Sequence, residues 1–135
     1  MKELELQIDG FQSEEGASKE ALSQLSKLNL PSDYLAFLAE TSGGEGFVGE
    51  QYLILWRAEE IIEFNEDYQV DKYAPGIILF ASDGGGEGFG FDTKASPPPV
   101  VKIPFVGMSR ESAIKVAESF THLIEKMRDP NARFC

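Results

Sequence analysis

The sequence predicts an α+β fold: one domain with a central, mostly antiparallel sheet flanked by helices. Three observations predict it. First, segments with apolar period two and segments with apolar helical spacing share one chain, but they do not alternate as regular βαβ units. Second, the 135 residues suit one domain, and 42% of them are hydrophobic, ten being phenylalanine, which is enough to bury a core. Third, glycine-rich bends precede strand-like runs. The letters GGEGF occur at Gly43–Phe47 and again at Gly85–Phe89, the second copy inside the denser run Ser82–Asp92.

The elements follow in order. Leu4, Leu6 and Ile8 alternate with Glu3, Glu5, Gln7 and Asp9, which predicts a short half-buried strand. Gly10–Gly16 reads as a loop. Ser18 caps a helix whose face carries Ala21, Leu22, Leu25 and Leu28, and Asn29 and Pro31 stop it. Pro31 suits the first turn of a second helix, with Tyr34, Leu35, Leu38 and Ala39 as its stripe and Gly43 as its left-handed terminator. Gly49-Glu50 predicts a hairpin turn between Phe47-Val48 and Tyr52–Trp56. Arg57–Asn65 reads as a helix with Glu59 and Glu60 at its positive end and Ile61 and Ile62 inward.

Pro75-Gly76 introduces a buried strand at Ile77–Ala81, and Gly88–Asp92 returns beside it. Pro97–Pro99 is extended and leads into Val100–Ile103, which Pro104 marks as an edge or short strand. A last helix runs from a Ser109 cap to Arg128, with the stripe Ala113, Ile114, Ala117, Phe120, Leu123, Ile124 and Met127. Phe80, Phe89, Phe91, Trp56, Ile114, Ala117, Phe120 and Ile124 are expected to share one core. The domain spans 1–135, with its core at about 18–128, a strand and loop over 1–17 and a tail over 129–135.

The glycine run fails the tests for known chemistry. The phosphate-loop pattern G-x-x-x-x-G-K-[ST] is absent, and the dinucleotide pattern fails because Phe91 and Phe89 stand where its last glycine is required. Asp83 and Glu87 would also repel a phosphate. A calcium nonapeptide repeat needs aspartate where this chain has Gly90, and the alternating ligands of an EF-hand are missing. Asp83, Glu87 and Asp92 form at most a weak surface cation site. The structural explanation is better. Alternation sends Phe89 and Phe91 to one face of a strand and leaves Gly88 and Gly90 bare on the other, where a ring or a backbone can approach. Gly84, Gly85 and Gly86 serve the turn, at least one of them with positive φ. The two GGEGF copies are two entries into strands from tight bends.

No catalytic constellation is expected. His122 is the only histidine and reads as a solvated or boundary side chain within a helix, and the only cysteine is Cys135. No cofactor and no metal are expected. The absence of an apolar leader and of any run near the ~18 residues of a membrane span points to a cytoplasmic protein that does not enter a membrane. A single cysteine permits no intrachain disulfide. Twenty-three acidic residues against twelve basic ones, a net charge of −11, repel nucleic acid and anionic lipid and favour cationic partners, or serve solubility alone.

Several pieces in a fixed order resemble the SUKH superfamily, also called the Smi/Knr-like domain. Leu30-Pro31-Ser32-Asp33-Tyr34 with Phe37-Leu38 looks like its "LP-x-D-Y-x-x-F" helix start, and Ser42-Gly43-Gly44 falls at its glycine pair. Leu55-Trp56 with Glu59-Glu60-Ile61 and Asn65 is similar to its "LW-x-x-E-E" segment. Pro75-Gly76, Phe80–Gly86 and Phe91-Asp92 resemble its glycine hairpin, and Ser119-Phe120 fits its closing helix. The likeness runs from about Leu30 to Met127 and does not include Leu4–Ile8. It implies a single α+β domain without conserved enzymatic residues. Many bacterial members are immunity proteins that neutralise toxins, often nucleases, and a fungal member regulates cell-wall synthesis through protein partners.

The expected function is therefore a non-enzymatic binding module, most readily an immunity protein for a basic toxin. The alternatives are a regulatory scaffold with an endogenous partner and a small carboxylate-dependent hydrolase. Pro31, Gly43, Gly44, Trp56, Gly84, Gly85, Gly86, Phe89, Phe91 and Phe120 read as structural. Glu45, Glu50, Asp83, Glu87 and Asp92 lie in or beside bends and strand ends and are expected to form an acidic patch for the partner, the alternative being solvated turn residues. The acidic helix at Glu59, Glu60 and Glu63 is the next surface to consider.

Overall fold

The computed structural model describes residues 12–13, 17–40, 43–48 and 51–128. The expected strand at Leu4–Ile8, Ser42, the Gly49-Glu50 connection and the tail with Cys135 lie outside the described residues. Within them the fold is α+β. Seven strands form one sheet in sequential order: β1 (Gln12–Ser13), β2 (Gly44–Val48), β3 (Gln51–Leu55), β4 (Ile77–Ser82), β5 (Glu87–Asp92), β6 (Val100–Pro104) and β7 (Ile114–Ala117). Every adjacent pair is antiparallel. Helices α1 (Lys19–Leu25) and α2 (Ser32–Glu40) separate β1 from β2; α3 (Ala58–Asp67) and α4 (Val70–Tyr73) separate β3 from β4; α5 (Phe120–Arg128) follows β7.

Local chemistry explains the helix starts. The Ser18 hydroxyl accepts the Ala21 N–H at 3.2 Å and opens α1. Pro31 immediately precedes α2, and its carbonyl accepts the Leu35 N–H at 3.1 Å. Asp33 ties α2 to α5: one carboxylate oxygen accepts the Tyr34 N–H at 2.8 Å, and the other accepts the Thr121 N–H and hydroxyl at 3.0 and 2.9 Å. Above the sheet, Phe80 and Phe91 stack at 4.4 Å, and Tyr34 of α2 and Phe120 of α5 pack on them at 5.0 to 5.8 Å. Phe37 joins Phe120 at 5.0 Å. This aromatic group is the centre of the core.

Asn65 explains how a helix can continue a sheet. β3 pairs with β4 only at Ile54↔Ser82 and Leu55↔Ala81, followed by a Trp56 N–H bond to the Phe80 carbonyl. Leu79 would then be left open. The Asn65 side chain accepts its N–H at 2.8 Å and donates to its carbonyl at 2.9 Å, standing in for the missing strand. The bare face of β5 is filled closely. A Cβ at Gly88 would lie 3.0 Å from the Phe105 ring, and one at Gly90 would lie 2.8 Å from the Ile78 carbonyl oxygen.

Several expectations are corrected. The stretch read as a Gly10–Gly16 loop contains β1, with Gln12 and Ser13 opposite Glu45 and Gly44. Ala39 is exposed, and Phe37 takes its place on the buried stripe of α2. The largest correction concerns the last helix. Ser109 and Ser112 cap each other reciprocally, but they close only a 3-10 turn, Arg110–Ser112. β7 then pairs with β6, and the true helix starts at Phe120, just after Ser119, whose hydroxyl accepts the His122 N–H at 3.1 Å. The spacing Ala113, Ile114, Ala117 satisfies a helical period, while Ile114 and Val116 also alternate as a β-branched strand. The need of β6 for an outer partner decides between them. Val100–Ile103 is consequently an inner strand and not an edge. Ile114 is 49% exposed and leaves the core, which retains Phe80, Phe89, Phe91, Trp56, Ala117, Phe120 and Ile124.

Candidate functional site

The glycine hairpin between β4 and β5 holds its own acids. The Asp83 carboxylate accepts the N–H of Gly85 at 2.7 Å and of Glu87 at 3.2 Å, folding the turn around itself. Gly84 and Gly86 have φ of +78° and +103°, which glycine adopts at no steric cost. Lys102 of β6 places its ammonium 3.6 Å from Asp83 and 3.7 Å from Glu87. Asp92 lies at the other end of β5, ~17 Å from Glu87 by strand rise. There Arg110 donates to it at 2.8 Å and also to the Pro75 carbonyl at 2.9 Å. The Arg110 hydrogen bond, with a smaller contribution from the Lys94 N–H, holds the Asp92 carboxyl below its ordinary range.

Glu45 takes the Tyr52 hydroxyl proton donor, which raises the phenol's pKa. Tyr52 also reaches the hairpin: a Cβ at Gly84 would stand 3.4 Å from its ring. The structure thus brings Glu45, Asp83 and Glu87 to one end of the sheet and sends Asp92 to the other. Glu50 lies outside the described residues. Lys102 and Arg110, which neutralise three of the expected patch residues, were not singled out from the sequence. Lys102 was visible as the one base in an apolar strand, but its partners become known only from strand register.

A different surface keeps its charge. α3 carries Glu59, Glu60, Glu63, Glu66 and Asp67 and no base. Glu59 and Glu60 serve the helix start, Glu59 accepting the Ser18 N–H and Glu60 the Arg57 N–H. Among the described residues no lysine or arginine pairs with Glu63, Glu66, Asp67 or Asp71. Beside them opens a cleft of about 370 Å³ between α3, α4 and the start of β4. Its apolar surface comes from Leu28, Ile61, Ile62, Val70, Ile77 and Ile78. Ile62, expected to point inward, is 37% exposed because it faces this cleft, while Ile61 takes the core position. Gln69 joins α3 to α4 in the left-handed conformation, φ 54° and ψ 43°, and also lines the cleft.

The polar groups in and beside the core are structural in their contacts. The Nδ1 atom of His122 accepts the Glu118 N–H at 2.9 Å and so shares in capping α5. The Tyr34 hydroxyl is buried without a hydrogen-bond partner, and burial pushes its pKa up. Among the described residues no three of His, Cys, Asp and Glu gather as a cation-binding group, and no helix is long and apolar enough to cross a membrane.

The meander with its Asp33 tie, its Asn65 strand substitute and its Asp83 turn defines an α+β domain whose singled-out polar residues hold the fold together. The chain belongs to the SMI1 / KNR4 family (SUKH-1), whose model matches residues 16–126. Domains of this family are generally non-catalytic and are often immunity proteins. A search of curated proteins found no match.

Proposed function

We propose that this protein acts by binding and not by catalysis, as a cytoplasmic immunity protein that neutralises a basic protein toxin, nucleases being the leading class. The observation that carries this reading is the group Glu63, Glu66, Asp67 and Asp71 on α3 and α4, with which no lysine or arginine pairs among the described residues, in a family member of net charge −11. A basic toxin meeting such a surface associates faster at low salt, on the order of 10⁸ M⁻¹s⁻¹ where steering is strong. His122 and Tyr34 are committed to helix capping and to the core, so neither is offered a catalytic role.

The test starts from the neighbouring genes. A toxin encoded beside this chain should be toxic when expressed alone and harmless when co-expressed with it. The purified pair should form a complex whose association slows as salt rises. Failure of the chain to bind or neutralise that toxin, or turnover of nucleotide, ester or peptide by the chain itself, would overturn the proposal.

A further inference from the structure

We infer that the cleft between α3 and α4 is the anchor point for the partner: it takes one large aliphatic side chain of a protein segment, with a neighbouring lysine or arginine held by Glu66 and Asp71. The inference rests on the reading of the partner as a basic protein and names the surface and the chemistry that such a partner uses.

Three features of the cleft support it. Its volume of about 370 Å³ is at the lower end of sites that enclose a ligand, the right scale for side-chain anchors. Its floor is apolar while Glu66 and Asp71 stand in its wall with no lysine or arginine paired to them among the described residues, so an aliphatic group alone would leave that charge unpaired. Lys94, whose stem lies over Gly76 at the cleft's edge, pairs with neither. A second copy of this chain would bring net −11 against these carboxylates and is repelled.

The third feature is Gln69. It follows the C-cap of α3, Tyr68, at the position where a left-handed residue ends a helix and where glycine is the unstrained choice. The chain carries glutamine there, and the residue lines the cleft. A non-glycine left-handed residue is tolerated at a cost, and such residues concentrate at ligand clamps. Glutamine adds a donor and an acceptor to the wall that glycine would lack.

The experiment uses the full chain labelled for NMR and a short capped peptide of alternating leucine and lysine as the probe. Amide shifts are expected at Ile62, Gln69, Asp71, Ile78 and Thr93, and a leucine–glutamate peptide of equal length should cause none. The double variant Glu66→Lys, Asp71→Lys should weaken the leucine–lysine peptide at least about tenfold at low salt. Ile62→Glu should weaken it independently through the apolar floor. Gln69→Gly should weaken it while leaving the melting temperature unchanged or higher. Shifts at Glu45, Phe47 and Tyr52 instead, equal binding of the acidic peptide, or equal binding of hexylammonium alone would each overturn the inference. With a neutralised toxin in hand the two proposals separate. A toxin bound equally well by the Glu66→Lys, Asp71→Lys variant sinks the cleft and leaves the immunity reading standing. Specific peptide binding here without any neutralised toxin does the reverse.

Discussion

Two acidic regions of this molecule look alike on paper and behave oppositely in space. The hairpin from Ser82 to Asp92 spends its acids internally: Asp83 on two backbone N–H groups, Asp83 and Glu87 on Lys102, and Asp92 on Arg110. The outer turns of α3 spend none of Glu63, Glu66 and Asp67 on a cation among the described residues. Acid count and available charge are therefore different quantities. A strand-rich hairpin places basic residues of the next strand opposite its acids, whereas a helix flank presents its acids to solvent. Substitutions should divide the same way, with hairpin changes read in stability and α3 changes read in binding.

The largest effect is expected beneath the hairpin. Phe80 packs on Phe91, Tyr34 and Phe120 and is fully buried. Phe80→Ala should cost ~3–5 kcal/mol in denaturant unfolding. A loss below ~1 kcal/mol would mean that the aromatic group is not the centre of the core.

Asp83 comes next. Asp83→Ala removes both N–H acceptors of the turn and one partner of Lys102, and should cost ~1–3 kcal/mol. Glu63→Ala on α3 should stay within ~0.5 kcal/mol. Equal losses measured for the two would erase the contrast between the regions.

How much of this was legible depended on whether the deciding contact was local. The Ser18 cap, the Pro31 helix start, the strands around Phe47–Leu55 and the bare face of β5 are settled by neighbours a few residues away, and all were readable. β7 was not. Ala113, Ile114 and Ala117 fit a helix and a strand equally well, and the tie is broken by β6, whose register pairs Val101 with Lys115 and Lys102 with Ile114. The partners of the candidate acids were hidden for the same reason. The carboxylates were visible, but Lys102 and Arg110 reach them only through the meander. Of the adjacent isoleucines, Ile61 takes the core position and Ile62 turns to the cleft, a choice set by what packs on α3 and not by spacing alone, and Gln69 carries no signal where glycine or asparagine is the expected left-handed residue.

The glycine turn permits a finer cut. Gly86 has positive φ, and a Cβ there would meet nothing within 4 Å, so Gly86→Ala isolates backbone strain and should cost about 1 kcal/mol. Gly85 is the internal control. Its φ is not in the left-handed region, and its nearest neighbour would be the Asp83 carboxylate at an ordinary 3.6 Å, so Gly85→Ala should cost a few tenths of a kcal/mol. Thermal unfolding of the pair measures the difference. Equal values would show that the turn is held by its hydrogen bonds and not by its dihedral angles.

The smallest effect separates the two regions by pH. Asp92 is held below its ordinary pKa by Arg110, so its folded-state carboxyl stays ionised to lower pH than in the unfolded chain. The stabilisation is therefore fully present above the unfolded pKa and is lost as pH falls through the folded one. The pair is partly solvent-exposed, with side-chain exposures of 31% and 20%, so its worth is below ~1 kcal/mol. Asp92→Asn should lower stability slightly at neutral pH and converge with wild type in acid, giving a shallower acid limb in urea midpoints taken across pH. Asp67→Asn on α3, which gives up no pairing with a cation among the described residues, should change the urea midpoint at neutral pH by less than Asp92→Asn does. If both substitutions lower it alike, the α3 acids are stabilising the fold too, and their availability to a partner is no longer distinguished from the hairpin's.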